Sequence, residues 1–312
     1  MSLSITSHLI IDAAQKRGWE VKIIHAEDAF YRIRQPSGET YYVRSNATRK
    51  MGSTNTYITK NKDVLYAIAA ELGVRIPETV VATDDRDGAF NLLHKYPLLV
   101  VKPADQGHGD GITVGITNEA ELTKALEYAE RFSKRVLVQQ HIAGDDYRVL
   151  CIDKKLAAAA IRKPAFVTGD GEHTLGQLID IENQSARRAS GYSNLLTSIE
   201  LEQATRYLGD RIDEIAPAGE EVRVMGISNV GKGGVALDVT DELPAGMIEA
   251  ALAVIEHLDI GLCGVDFMMG DDNQPYMIEM NLMPSFGLHE HPYRGRARQT
   301  PDKFLDWLIK DN

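Results

Sequence analysis

The spacing of apolar residues along the chain predicts a mixture of helices and strands. In residues 62–72 the apolar side chains recur at intervals of three and four, which predicts an amphipathic helix that Gly73 ends. The same spacing predicts helices at residues 4–17, 119–132, 175–190 and 245–258, and short apolar or alternating runs predict strands at residues 19–26, 30–35, 39–45, 79–83, 98–103, 112–116, 135–142, 146–153, 156–164, 261–269 and 276–281. The strands form hairpins rather than regular βαβ units, which indicates an α+β fold. Residues 46–59 are polar and are interpreted as a linker.

Composition and charge exclude several classes of protein. The chain has 312 residues, 44% of them apolar, and a net charge of −11. These values predict about two globular units. The acidic balance argues against binding of nucleic acid. No apolar run is long enough for a membrane span, the N-terminus does not resemble a signal peptide, and Cys151 and Cys263 lie in strand-like runs typical of buried thiols, so a cytoplasmic protein is expected.

Two carboxylates are predicted to face each other across the last hairpin. If the turn is centred between residues 272 and 273, Asp266 lies opposite Glu279, and Gly264 lies opposite Asn281. The other face, with Val265, Phe267, Met269, Tyr276, Ile278 and Met280, is then apolar. Two negative charges about 5 Å apart repel each other, so this pairing is unfavourable unless a positive charge lies nearby. Either a hard divalent ion supplies it, or a nearby Lys or Arg does, or the register is slipped and the two residues are apart.

A lysine and a glycine-rich loop form a second candidate site. Lys102 ends an apolar strand and is followed by a loop with Gly107, Gly109 and Gly111, where backbone N–H groups could converge on phosphate oxygens. The spacing is neither a P-loop nor a dinucleotide-binding fingerprint. The alternative is an ordinary glycine-rich hairpin turn, with Lys62 as an ordinary solvated charge.

Five segments in this order resemble the ATP-grasp ligases. They are Lys62, VVKPADQGHGDGITV, VLVQQHIAGDDYRVL, GVDFM and YMIEMN. The likeness covers residues 45–310 and is greatest to the ATP-grasp parts of cyanophycin synthetase and of bifunctional glutamate-cysteine ligase/glutathione synthetase. It implies an ATP-grasp fold of two α+β lobes clasping ATP: a small lobe at residues 59–141, a large lobe with the metal site at 142–312, and a short α/β substrate-side segment at 1–58.

The resemblance also implies which residues bind ATP and metal. Lys62, Lys102 and the loop glycines Gly107, Gly109 and Gly111 would hold the phosphates, Gln139, Gln140, His141 and Ile142 the adenine, and Asp146 the ribose. Asp266, Glu279 and Asn281 fall on the family's metal ligands, expected to hold two Mg²⁺ ions, with Mn²⁺ as a substitute. The family commonly has Glu at the position of Gln139, so the chain departs from the pattern there.

The family chemistry is ligation of a carboxylate to an amine. The γ-phosphoryl group of ATP passes to a carboxylate, and an amine attacks the resulting acyl phosphate. Arg162 matches a family arginine expected to act on the transferring group and the acyl phosphate, with Lys102 and Arg148 as further catalytic candidates. The alternative for Arg162 is a surface cation beside a strand. Amino acids or small peptides are the expected substrates, a homodimer is possible, and the competing hypothesis is a non-catalytic nucleotide-binding regulatory protein.

Residues for the second substrate are harder to choose. Cations are supplied by Arg187, Arg188, Arg223, Arg294, Arg296 and Arg298, with His289 and His291 nearby. Guanidinium groups bind carboxylates in pairs of hydrogen bonds. Each of these side chains could equally be solvated or form an internal salt bridge.

Overall fold

The computed structural model describes residues 3–107, 109–185, 188, 198–226 and 230–310. The helices are α1 (Ile5–Lys16), α2 (Ser53–Lys60), α3 (Lys62–Glu71), α4 (Arg86–Lys95), α5 (Glu119–Ala129), α6 (Leu175–Gln184), α7 (Leu201–Leu208), α8 (Ala245–His257), α9 (Gly287–Glu290) and α10 (Thr300–Leu308). The strands are β1 (Glu20–His25), β2 (Phe30–Arg34), β3 (Thr40–Arg44), β4 (Thr79–Val81), β5 (Leu99–Pro103), β6 (Thr113–Ile116), β7 (Val136–Gln140), β8 (Asp146–Ile152), β9 (Lys155–Lys163), β10 (Phe166–Thr168), β11 (Glu221–Arg223), β12 (Val235–Asp238), β13 (Leu262–Met269) and β14 (Pro275–Asn281).

The chain divides into two compact units. The first comprises Met1–Lys50, Asp145–Leu243 and Met283–Asn312, and the second comprises Met51–Gly144 and Pro244–Leu282. The division expected from the resemblance, at residues 58 and 141, stays a prediction.

The first unit contains three antiparallel groups of strands. Strands β1, β2 and β3 form a meander, β12, β9 and β8 lie side by side in that order, and β10 pairs with β11. Helices α6 and α7 contribute Leu175, Ile179 and Leu208 to a core with Val222 and Val224. Buried Val222 and Val224 alternate with the exposed Glu221 and Arg223, whereas the buried residues of α6 lie three and four positions apart.

The second unit is built on an antiparallel sheet with strand order β4-β7-β5-β6. Its core contains Leu99 and Val101 of β5, Val138 of β7, and Leu122 and Leu126 of α5. The same unit contains the β13–β14 hairpin, which follows α8.

The predicted α+β class is confirmed, but five helices, α2, α4, α7, α9 and α10, were not predicted. Helix α2 lies in the stretch interpreted as a linker, and α4 lies in what the sequence suggested was only a turn. Each buries two residues on one face, Ile58 and Thr59 in α2 and Ala89 and Leu92 in α4, so the apolar pattern is too sparse to reveal a helix. Helix α6 ends at Gln184, short of the predicted residue 190, and most of the remaining stretch lies outside the described residues.

Candidate functional site

Hydrogen bonds fix the start of α3 in the second unit. The backbone N–H of Lys62 donates to the carbonyl of Ala104, which follows β5, at 3.0 Å. The guanidinium group of Arg135 donates to the carboxylate of Asp63 at 2.6 Å and to the side-chain oxygen of Asn61. The first residue of α3 is therefore held beside the end of β5.

The side chain of Lys62 joins the glycine-rich loop to the last hairpin. The Lys62 residue is 6% exposed, and its ammonium group donates to the backbone carbonyl of Gln106 at 2.6 Å. The same Nζ atom lies 3.9 Å from Oε2 of Glu279. The hypothesis that Lys62 is an ordinary solvated charge is therefore wrong.

Lys102 is buried next to a tyrosine of α3. The residue is 5% exposed, and its Nζ atom lies 2.9 Å from the hydroxyl of Tyr66 and 5.4 Å from the centroid of that ring. Lys62 and Tyr66 are four residues apart, so one face of α3 presents both side chains. The structure thus brings the two predicted phosphate lysines into one buried cluster.

Burial sets the protonation of both lysines. Loss of hydration lowers the pKa of Lys102 to about 8, although the negative charge of Glu279 opposes the change. Burial also lowers the pKa of Lys62, Glu279 again raises it, and the charge of Lys102 lowers it further. Both ammonium groups have lost hydrating water, and they share one nearby carboxylate, that of Glu279. A further negative charge close to them is therefore electrostatically favourable.

The predicted pairing of the two carboxylates across the hairpin is confirmed. Asp266 pairs with Glu279, Val265 with Met280 and Gly264 with Asn281. A β-bulge then shifts the register, so Phe267 pairs with Met277 and Ile278 is an extra residue.

The bulge corrects the predicted apolar face of the hairpin. Met277 is fully buried, whereas Ile278 and Tyr276, which were placed on the core face, are only partly buried. The buried residues of β14, Met277 and Met280, are spaced by three rather than two, as one inserted residue requires.

The oxygen atoms on this hairpin fit a hard divalent ion. Two carboxylates directly opposite each other and the nearby amide of Asn281 are the kind of ligands that Mg²⁺ accepts, and Mg²⁺ commonly completes its shell with water and phosphate oxygens. Asp266 is 3% exposed, so its charge needs compensation. Among the described residues, no three His, Cys, Asp or Glu side chains are grouped to hold a metal by themselves. Lys62, 3.9 Å from Glu279, supplies part of the neutralising charge that the alternative hypothesis required.

The predicted adenine-binding segment has its backbone N–H groups partly engaged. The N–H of Gln140 donates to the Glu78 carbonyl at 2.9 Å, and that of His141 donates to the Leu98 carbonyl at 3.1 Å. Ile142 is buried. These bonds tie the end of β7 to its neighbouring chain segments.

The amide of Gln139 is turned into the protein. Gln139 is 2% exposed and donates to the hydroxyl of Thr79 at 2.6 Å. The residue that departs from the family pattern therefore has an internal structural role.

The loop after β5 uses its glycines for backbone shape. Gly109 and Gly111 have φ angles of +90° and +72°, and a Cβ on Gly111 would lie 2.7 Å from Cγ of Pro103. Gly107 accepts a hydrogen bond from the N–H of Asp110 at 3.2 Å, which makes a tight turn. Residue 108 lies outside the described residues.

The predicted ribose carboxylate and the predicted catalytic arginine are direct partners in the first unit. Asp146 on β8 lies opposite Arg162 on β9, and the guanidinium donates to both carboxylate oxygens at 2.6 and 3.1 Å. Arg148, two residues along β8, is 6% exposed. The hypothesis that Arg162 is a mere surface cation is not supported, because this side chain is only 20% exposed.

Comparisons with known proteins define the fold. The family described as "D-ala D-ala ligase C-terminus" matches residues 75–202. The crystal structure of a bifunctional glutathione synthetase from Pasteurella multocida superimposes with a TM-score of 0.76 and 26% identity, over 98% of this chain and 43% of that one. The chain has an ATP-grasp fold.

Curated relatives of this ATP-grasp chain are longer ligases. The cyanophycin synthetase of Trichormus variabilis is 30% identical over 321 residues, which cover 99% of this chain and 35% of the relative. The glutathione biosynthesis bifunctional protein of Mannheimia succiniciproducens is 29% identical over 331 residues, which cover 100% of this chain and 43% of the relative. The chain therefore spans 35% and 43% of the lengths of these two relatives.

Most cations considered for the second substrate have internal partners in this ATP-grasp chain. Salt bridges join Arg188 to Glu182, Arg294 to Glu221, Arg296 to Asp241 and Arg298 to Asp238, and Arg223 donates to the carbonyls of Met225 and Gly226. Arg187 lies outside the described residues. Burial, and secondarily the charge of Arg148, lower the pKa of His289 to about 3, so this imidazole is neutral near pH 7.

Both cysteines are buried and free, as predicted, and burial raises the pKa of Cys151 to about 12. No helix among the described residues is long and apolar enough to cross a bilayer.

The sequence interpretation missed Tyr66 of the lysine cluster. The only signal was its position four residues after Lys62, on a helix face that otherwise carries Leu65 and Ala69. A phenol on an aliphatic face is ordinary, so this spacing acquires meaning only once Lys102 is placed beside it.

Proposed function

We propose that this ATP-grasp chain is an ATP- and Mg²⁺-dependent carboxylate-amine ligase that forms a peptide or isopeptide bond through an acyl phosphate. Its substrates are an amino acid or a small peptide, as the names of the relatives, cyanophycin synthetase and glutathione synthetase, suggest. The proposal includes a reducing cytoplasmic location and leaves a homodimer open.

One observation carries the proposal most strongly. Lys62 and Lys102 are both nearly buried, both have lowered pKa values, and both are influenced by Glu279. Burial of two positive charges is electrostatically unfavourable, and a bound polyphosphate would reduce this penalty. Phosphoryl transfer depends mainly on positioning and charge neutralisation, which this cluster provides without a nucleophilic side chain.

Each group has a definite task in the proposed reaction. Lys62, Lys102 and the glycine-rich loop bind the phosphates, while a carboxylate oxygen of the donor attacks the γ-phosphorus and ADP leaves. The amine nitrogen of the acceptor then attacks the acyl carbon, loses a proton, and inorganic phosphate departs. Arg162 and Arg148 neutralise the acyl phosphate.

The metal ligands are Asp266, Glu279 and Asn281, with one or two Mg²⁺ ions, or Mn²⁺ in their place. A bound ion would withdraw charge from the phosphate oxygens. The carboxylate of Glu279 also lies 3.9 Å from the ammonium group of Lys62 and attracts it electrostatically. Glu279 therefore belongs to both the metal site and the lysine cluster.

The test follows ADP and phosphate formation with MgATP and a panel of amino acids and dipeptides. We expect ADP formation that depends on a particular acid and amine, and its loss in Glu279→Gln with little change in the free energy of unfolding. Glu249→Gln is the matched control, because Glu249 is an exposed residue of α8 in the same unit, and it should keep full activity.

Two results would contradict the proposal. Nucleotide binding without substrate-dependent ADP formation from any pair would favour the regulatory protein instead. Equal activity of Glu279→Gln and Glu249→Gln would remove Glu279 from the metal site.

A further inference from the structure

We propose that Tyr66 is a positioning residue that couples the phosphate-binding Lys102 to the strand carrying the metal ligand Glu279. The inference rests on the proposed function, because it assigns Tyr66 to the nucleotide and metal site of that ligase. Tyr66 would not touch the reacting atoms. It would act through the two groups that its hydroxyl holds.

The ring of Tyr66 is fixed by packing before its hydroxyl is considered. The residue is 3% exposed and packs with Ala104 and Leu137, with Ile76 and Val81 at the edge of the same cluster. Because the ring is packed in this cluster, its hydroxyl has little freedom to move. The hydrogen-bond partners of the hydroxyl lie in the same second unit.

The single proton of the phenol determines the direction of its hydrogen bonds. The hydroxyl lies 2.6 Å from the carbonyl oxygen of Ile278, which can only accept, so Tyr66 donates there. The phenol oxygen is then an acceptor for Lys102, whose Nζ lies 2.9 Å away and donates. Burial raises the pKa of Tyr66, so the phenol keeps this proton. The bond to the phenol oxygen favours the ammonium form of Lys102, since an ammonium is the better donor.

The bulge places the accepting carbonyl next to the metal ligand. Ile278 is the extra residue between the Asp266–Glu279 pair and the Phe267–Met277 pair. An extra residue disturbs the regular ladder locally, and Tyr66 supplies a donor to its carbonyl. The next residue along the strand is Glu279, so the bond from Tyr66 fixes the backbone from which that carboxylate projects.

Loss of the hydroxyl would therefore affect two ligands of one Mg-nucleotide complex. Lys102 would lose a hydrogen-bond acceptor, and the strand before Glu279 would lose its attachment to α3. A residue needed only for stability would lower the unfolding midpoint without changing how Mg²⁺ and nucleotide influence each other's binding.

The experiment is a double-mutant cycle read by calorimetric titration of the intact chain with the ATP analogue AMPPNP, with and without Mg²⁺. The variants are Tyr66→Phe, Lys102→Met and the double variant. Tyr31→Phe is the matched control: Tyr31 is fully buried in the first unit, and its hydroxyl also donates to a backbone carbonyl, that of Ser45, at 2.6 Å. Urea unfolding curves check that each variant is folded. The Tyr→Phe variants are expected to fold, because phenylalanine retains the ring.

We expect three results. Tyr66→Phe lowers AMPPNP affinity without Mg²⁺ by about two- to tenfold, and most of this loss disappears in the Lys102→Met background, because the effect passes through Lys102. Tyr66→Phe also reduces the factor by which Mg²⁺ tightens AMPPNP binding, and does so in the Lys102→Met background too, because that effect passes through Glu279. Tyr31→Phe loses comparable stability but keeps wild-type binding and Mg²⁺ dependence.

The inference would be overturned if Tyr66→Phe matched Tyr31→Phe in both titrations, or if the losses from Tyr66→Phe and Lys102→Met simply added without Mg²⁺. These results differ from a failure of the proposed function. In that case the wild-type chain would not bind AMPPNP in a Mg²⁺-dependent way, or would bind it and form no ADP with any substrate.

Discussion

At the scale of single residues, burial alters the protonation of Lys102. Its pKa of about 8 lies below the ordinary value of 10.5, so the folded chain binds fewer protons than the unfolded chain between these limits. The free energy of unfolding should therefore rise with pH from about 8 to 10.5, and below pH 8 the buried ammonium costs about 3 kcal/mol at 1.36 kcal/mol per unit. A bound polyphosphate would supply the missing counter-charge.

Nucleotide binding should consequently take up protons above pH 8. Phosphate oxygens near Lys102 raise its pKa. The phosphates are mostly ionised at pH 8.5, so they release few protons of their own. We expect AMPPNP affinity to fall as pH rises from 8 towards 10, with net proton uptake at pH 8.5 in calorimetric titrations with buffers of different ionisation enthalpy.

Lys102→Met is the control. This variant should take up fewer protons when it binds AMPPNP, because Lys62 is then the lysine that remains to be protonated. An affinity that stays constant from pH 7 to 9.5, or a net release of protons, would show that Lys102 does not meet the phosphates.

At the scale of elements, the last hairpin separates what the sequence predicts from what it does not. The pairing of Asp266 with Glu279 follows from counting outward from a polar turn, and it is correct. The bulge at Ile278 was not predictable, because isoleucine is an ordinary strand residue and no glycine marks the insertion. The contact between Tyr66 and Lys102 was hidden for a similar reason, since neither spacing nor composition places a helix face against a particular strand.

The segment after the predicted adenine site contains an element-scale constraint that can be tested. Gly144 has a φ of +142°, and a Cβ there would lie 1.8 Å from the carbonyl oxygen of Met269 in the hairpin. An alanine at this position would have to adopt an unfavourable backbone conformation and displace the backbone of β13. We expect Gly144→Ala to lower the free energy of unfolding by about 3 kcal/mol in urea titrations.

Gly115→Ala is the matched control in the same unit. Gly115 also has a positive φ, +84°, but nothing lies within 4 Å of a Cβ there, so the variant carries only the conformational cost of about 1 kcal/mol. Equal losses in the two variants would show that the backbones at Gly144 and Met269 do not approach closely.

At the scale of the whole molecule, an acidic protein is proposed to bind an acidic nucleotide. The net charge of −11 repels polyphosphate at long range, so attraction must come from short-range contacts with buried cations and a metal ion. The ATP-grasp fold was identified from the order of the motifs, but the substrates were not, because the candidate acceptor residues are arginines that the structure largely places in internal salt bridges.

Transfer of oxygen-18 tests the proposed carboxylate activation most directly. The donor acids of the panel are labelled with oxygen-18 in the carboxylate, and the phosphate released with MgATP is examined by mass spectrometry. Activation as an acyl phosphate predicts one labelled oxygen in the phosphate for every amide bond formed. Amide formation with unlabelled phosphate would contradict it.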